Sequence, residues 1–446
     1  MAPTRPRPCR RAPRPALVLA TGLAAAVGWA ADLAAAAPQG YHRRAPNRYL
    51  RTAADNAATA LDARLARGEI DLAAHGPRGR LRALLRALGI PESSQTLVFS
   101  KTSLQRHRVS PQNPRAIYFG PDAYVGWIPG AAALEIAVGD PALGLVFYTL
   151  SQDPAAPARL VRDDSCLDCH AADRTADEPG LLLRSVFPDA GGDPIASAGE
   201  AEVSTATPIA ERWGGWLVTG RFDGAHRGNG TAVRDDGGDW RVPPRPAADL
   251  GAFADAFDPD AYPVATSDVG ALLVLEHQVT VHNVLVRASM QMRFALAQEE
   301  AWHETTGETG TRPATERVAE ALAREIAEAL LLAHEPALAD RNAAPDPAFA
   351  AAFAAQWPVD ADGVRLGALD LSRRTFALPL SPMVHAPAFA ALPEDLRRRA
   401  LRRLFVAIEQ GTPPGGVEMT TAERLWLRDH LRGTVPDWPE PRPRRR

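Results

Sequence analysis

Apolar residues change their spacing along the chain. Up to residue 92, leucines recur at helical intervals and Pro91 closes the run, which predicts a helical N-terminal segment over residues 38–94. Beyond it, four short apolar runs are separated by Gly and Pro turns. This punctuation predicts strands at 116–119, 124–128, 134–138 and 145–150, with another strand at 216–219.

The C-terminal half returns to helical periodicity after a stretch rich in Gly, Asp and Pro. Ser267 or Asp268 can cap a helix that runs to about Trp302, and Pro313 opens a second one. Pro393 and Thr421 open two more. The pattern predicts an α+β fold, mostly α, in which a region of short strands and loops (95–265) precedes a helical region (266–436).

The first 36 residues have the features of a secretory signal peptide. Five arginines precede an apolar run at 16–31, and a small-residue site follows at 34–36. We therefore expect cleavage near Ala36, a periplasmic location and no stable membrane span in the mature protein. An uncleaved anchor is the alternative, although it needs about 20 apolar residues. Residues 437–446 are predicted to be a disordered basic tail.

Charge adds little to this description. The formal net charge is −3 over 446 residues, and nothing in its distribution points to nucleic acid as a partner. Of the 50 basic residues, Lys101 alone is a lysine. A single compact ammonium among arginines makes Lys101 a candidate partner for an anionic cofactor group, with a simple surface charge as the alternative.

Cysteine usage carries most of the chemical information. Cys9 lies in the predicted signal peptide, so the mature chain keeps only Cys166 and Cys169, and His170 follows them directly. In this C-x-x-C-H pattern, two thiols can attach to the haem vinyl groups while the adjacent imidazole ligates the iron. A zinc site would need further ligands, and no βαβ pattern for a thioredoxin-like motif surrounds the pair. The sequence predicts one covalent haem c.

The motif resembles c-type cytochromes in general, and its surroundings resemble a poorly characterised group of large periplasmic monohaem proteins. The resemblance covers roughly residues 95–300 and implies haem binding and electron transfer. Because 165 residues precede the motif, a standard small cytochrome c fold is not expected. The matching pieces are Phe99–Gln105, Pro114–Gly120, the motif itself, Arg184–Pro188 and Arg212–Trp216.

The sixth iron ligand is left open by the sequence. His226 is the preferred candidate, because its glycine-rich loop permits close approach to a cofactor, and Trp213 is a candidate wall of the haem pocket. His277 and Met383 are alternatives, as is an iron with no sixth ligand. The remaining downstream candidates are packing or hydrogen-bonding residues by default: His282, His385, Met290, Met292 and Met419.

Three functions agree with these features. An electron carrier with a six-coordinate haem and an unidentified redox partner protein is favoured. A haem oxidoreductase of the peroxidase type, with an open iron site, is the second hypothesis, and a haem-based sensor or partner protein is the third. The absence of other cofactor motifs argues against a multi-centre enzyme.

Overall fold

A computed structural model describes residues 40–73, 76–360, 363–411, 415 and 418–439. The predicted signal peptide, Cys9 and residues 440–446 lie outside this range. Residues from Gly40 onward form one compact unit. They share one large hydrophobic core, to which all three predicted segments contribute.

The centre of the fold is a seven-stranded antiparallel sheet with strand order β6-β5-β4-β3-β2-β1-β9. Four predicted strands are confirmed, and the predicted strand at 216–219 is shortened to β9. Sequence patterns missed β1 and β6, which have only three residues each. The strands are β1 (Thr96–Val98), β2 (Arg115–Phe119), β3 (Ala123–Trp127), β4 (Ala133–Asp140), β5 (Gly144–Ser151), β6 (Leu160–Arg162) and β9 (Trp216–Leu217).

Two small hairpins accompany the main sheet. The first pairs β7 (Arg184–Val186) with β8 (Glu200–Glu202), and the second pairs β10 (Val233–Arg234) with β11 (Trp240–Arg241). Both lie in the region predicted as short strands and loops. The mixture of sheet and helix confirms the α+β class, with more helix than strand.

Helices flank the sheet and complete the core. The N-terminal segment contains two short α-helices and several 3₁₀ turns, so it is less helical than predicted. The predicted long helices are confirmed, and two short ones opened by Pro347 and Pro387 were missed. The helices are α1 (Ala57–Ala66), α2 (Leu81–Ala87), α3 (Leu167–His170), α4 (Val269–Thr306), α5 (Pro313–Leu330), α6 (Pro347–Ala354), α7 (Pro387–Ala390), α8 (Glu394–Gln410) and α9 (Thr421–Thr434).

Helix α4 is the longest element, with 38 residues, and Asp268 caps its first turn by accepting a hydrogen bond from the Ala271 amide. It is long and apolar enough to cross a membrane. However, 83% of its most apolar 18-residue window is buried inside the protein. Here the helix packs against the sheet and α5, as a core helix does.

The start of the predicted basic tail is packed against the helices. Asp437 forms an ion pair with Arg397 at 2.6 Å, and Trp438 is buried against Phe405. The predicted disorder therefore does not apply to residues 437–439, because the apolar ring of Trp438 is removed from water there.

Candidate functional site

The Cys166–His170 motif lies just after the edge strand β6. The Asp163 amide donates to the Phe147 carbonyl at 3.0 Å, and the Asp163 side chain caps the turn by accepting from the Ser165 amide. The chain then continues through a 3₁₀ turn into α3. Because one helical turn separates them, Cys166 and Cys169 lie on neighbouring positions of the same short helical stretch.

Both motif thiols are free. Cys166 is half-buried and Cys169 is exposed, and neither forms a disulfide. Burial raises the pKa of the Cys166 thiol to about 12, and the nearby carboxylates of Asp163 and Glu135 add to this shift. Cys166 is therefore a protonated thiol at neutral pH. Two reduced thiols are the form that thioether attachment to haem requires.

The His170 ring is held by one nitrogen. Its Nδ1 lies 2.8 Å from the Gly180 carbonyl oxygen, and its ring packs on Phe147 with centroids 4.7 Å apart. Since a carbonyl can only accept, Nδ1 carries the hydrogen and Nε2 keeps its lone pair. No hydrogen bond within the described chain engages Nε2. Burial lowers the pKa of His170, which also favours the neutral, ligating form.

The loop that supplies Gly180 is fastened at two points. The side-chain amide of Asn283, on α4, bonds both the backbone N–H and the carbonyl of Leu181, each at 2.9 Å. The Glu178 carboxylate accepts hydrogen bonds from the backbone amides of Tyr41 and His42. These contacts fix the carbonyl that orients His170, and hydrogen bonds of this kind orient metal-binding imidazoles in general.

Beside the motif, half of one sheet face is only partly covered. One cross-strand row runs across β2, β3, β4 and β5 and consists of Ile117, Gly126, Glu135 and Thr149. Its three side chains, those of Ile117, Glu135 and Thr149, are half-exposed. We call this row the open row.

The next row along the same sheet face is fully buried. It consists of Phe119, Tyr124, Ala137 and Phe147, and we call it the closed row. His170 packs on Phe147, at the boundary between the two rows. The motif therefore lies beside the one part of this face that the helices leave partly uncovered.

Polar side chains concentrate at the open row. The Arg115 guanidinium lies over Gly126, so close that a Cβ added at Gly126 would come within 2.3 Å of it. Arg115 also forms an ion pair with Glu135 at 2.5 Å. The Arg115 Nε is buried without a partner in the described chain. Gln105 donates to Glu135 Oε1 and to the Ala133 carbonyl, both at 3.0 Å. Arg115 also lies near enough to His170 to help lower its pKa, so the motif has a buried, unpaired guanidinium N–H in its vicinity that could hold an anionic group.

None of the other predicted site residues is shown in contact with the motif. Lys101 pairs with Asp193 at 2.6 Å on the surface. Trp213 and His226 are in contact with each other, with ring centroids 5.3 Å apart, near the start of β9. The sheet order separates β9 from β5, on which His170 packs, by five strand intervals. At about 4.8 Å per interval this is about 24 Å in a flat sheet. The structure does not bring His226 and His170 together.

The alternative sixth ligands are engaged or buried. His277 bonds Glu335 through Nδ1 and Ser381 through Nε2, so both its nitrogens are used. His282, on α4, contacts Tyr124 and Asp122. The side chain of Met383 is 0% exposed within the hydrophobic core. Two further methionines, Met290 and Met292, are also core residues.

Sequence patterns missed the residues that surround the motif. Gly180 and Asn283 act on His170 through contacts made far along the chain, so no local signal marks them. Arg115 carried a signal, because it lies in the Pro114–Gly120 piece of the resemblance. Within the described residues, no group of three or more His, Cys, Asp or Glu side chains is arranged to hold a metal ion.

No protein-family model, curated protein or solved structure matches this chain.

Proposed function

We propose that this chain is an exported, periplasmic c-type cytochrome that holds one covalent haem and transfers electrons to or from a partner protein. The observation that carries the proposal is the state of His170 in its C-x-x-C-H motif. The Gly180 carbonyl fixes the Nδ1 hydrogen, and Nε2 is left with a free lone pair beside the open row.

Each residue has a separate task in this proposal. Cys166 and Cys169 would hold the haem through thioether bonds, and His170 would be the axial ligand. Bound there, haem supplies a reversible one-electron change at iron. Arg115 offers its unpaired Nε–H to an anionic group, and Ile117 and Leu181, both partly buried, exclude water from the space beside the motif.

Haem staining of a denaturing gel tests this function. We expect the purified wild-type protein to stain and to give a pyridine haemochrome spectrum typical of two thioether links. A variant with both Cys166→Ala and Cys169→Ala should not stain, whereas Cys9→Ala in the predicted signal peptide should stain normally. Haem that extracts from the wild-type protein into acidified organic solvent would sink the proposal.

A haem oxidoreductase is the second candidate, and the Arg115–Glu135 pair favours it. A guanidinium and a carboxylate beside a haem can assist proton movements during chemistry on a bound substrate. The two functions differ in iron coordination, since a carrier needs no open position. The spin state of the ferric protein therefore separates them: a high-spin wild type favours the oxidoreductase.

A further inference from the structure

The loop from Lys101 to Arg108 borders the open row at Glu135. Gln105 fastens it there by donating to the Glu135 carboxylate and to the first carbonyl of β4. Glu135 is also paired across the sheet with Thr149, two residues from the Phe147 ring on which His170 packs, so it lies close to the motif as well. Glu135 thus contacts this loop and lies near the motif.

The loop exposes side chains that a folded protein usually covers or pairs. Leu104 is 66% exposed, more than any other large hydrophobic residue in the described chain. Arg106, His107 and Arg108 are all exposed, and no side-chain hydrogen bond or ion pair engages them among the described residues. An apolar side chain next to two free cations and a free imidazole matches the surface of haem, which is apolar with two carboxylates and an iron.

Other described histidines are poorly placed to reach the motif. His42 is 1% exposed and lies behind Glu178, with Nδ1 3.3 Å from that carboxylate. His385 and His430 contact each other among the C-terminal helices. The positions of His226, His277 and His282 were given above. Among the histidines in the described part of the chain, His107 combines a free imidazole with a place beside the open row.

We infer that His107 is the sixth ligand of the iron and that the loop from Lys101 to Arg108 covers the distal side of the haem. This inference rests on the proposed function, since it needs a haem at Cys166, Cys169 and His170. Leu104 then packs on the ring, and Arg106 and Arg108 are available to its carboxylates. His/His ligation agrees with an electron carrier, because no coordination position is left open.

The test uses the full-length exported protein with its haem, after staining has established that haem is covalent. Optical and electron paramagnetic resonance spectra should show a low-spin ferric wild type. His107→Ala should lose the low-spin signal, become high-spin and bind carbon monoxide in the ferrous state. Added imidazole should restore the low-spin spectrum of His107→Ala, and the far-UV circular dichroism of the variant should match that of the wild type, which shows that the protein has not unfolded.

Two further variants sharpen the result. His107→Met should stay low-spin but with a higher reduction potential, because a thioether favours ferrous iron more than an imidazole does. His334→Ala, a change at an exposed histidine just after the end of α5, should leave the spectrum unchanged.

Three results would overturn the assignment. They are a high-spin wild type, a low-spin His107→Ala variant, and a loss of the low-spin signal in His226→Ala but not in His107→Ala. A protein that does not stain for haem instead refutes the proposed function itself.

Discussion

At the scale of single residues, Tyr124 of the closed row belongs to a buried series of polar contacts. The Tyr124 hydroxyl lies 3.1 Å from Nδ1 of His282, and Nε2 of His282 lies 3.5 Å from Asp122 Oδ1. Gly139 makes room for this carboxylate, since a Cβ there would lie 2.1 Å from it. Burial lowers the pKa of His282 to about 4, whereas burial and then the Asp140 charge raise the pKa of Asp122 to about 7. Both shifts favour neutral side chains.

We expect Asp122→Asn to change stability in a pH-dependent way. A carboxyl whose pKa is raised by folding contributes its full stability below about pH 4 and loses it as pH rises through 7. An amide has no such loss. Relative to wild type, the variant should therefore gain roughly 1–3 kcal/mol in free energy of unfolding between pH 4 and pH 8. Urea denaturation at both pH values measures this, and a difference that does not vary with pH would contradict the raised pKa of Asp122.

At the scale of elements, sequence patterns predicted what is local and missed what is distant. The start of α4 was predicted because Asp268 is a capping residue, and four sheet strands were predicted from their turns. The five residues of the motif, Cys166–His170, were identified by chemistry alone. The pairing of Asn283 with Leu181 joins positions 102 residues apart, so nothing in the local pattern indicates it. His226 was preferred as an iron ligand because of its glycine-rich loop. The sequence does not give the order of strands in the sheet, so it could not show that His226 lies far from His170.

Asn283 tests how strongly α4 supports the motif. Replacing it with Ala removes both hydrogen bonds to Leu181 and leaves that backbone unit unpaired, which should cost about 1–3 kcal/mol of unfolding free energy. With haem bound at His170 as proposed, the ferric low-spin resonance should also broaden, because Gly180 would lose its support. Gln298→Ala, at an exposed position of the same helix, is the matched control and should change neither quantity. An unaltered resonance in Asn283→Ala would mean that Gly180 is held without α4.

At the scale of the whole molecule, the first described residues act as a strap across three elements. The Asn47 side chain donates to the Met290 carbonyl of α4 at 3.1 Å, and the Tyr49 hydroxyl donates to the Leu145 carbonyl of β5 at 2.9 Å. The backbone amides of Tyr41 and His42 bind Glu178 in the loop that follows the motif. From Gly40, where the described chain starts, the predicted helical segment is therefore irregular at first, and this stretch joins the motif loop to the core.

Glu178 is the residue through which this strap acts on the motif, and its carboxylate is 2% exposed. Glu178→Ala leaves two amide donors without an acceptor, so we expect a loss of about 2–4 kcal/mol in unfolding free energy and faster proteolysis within residues 40–52. Glu178→Gln keeps one acceptor oxygen and should show a smaller loss in both measurements. Glu202→Ala, at a half-exposed carboxylate paired with Arg174, should change stability by less than about 0.5 kcal/mol. Equal proteolysis rates in Glu178→Ala and wild type would show that the strap is held by its contacts with α4 and β5 instead.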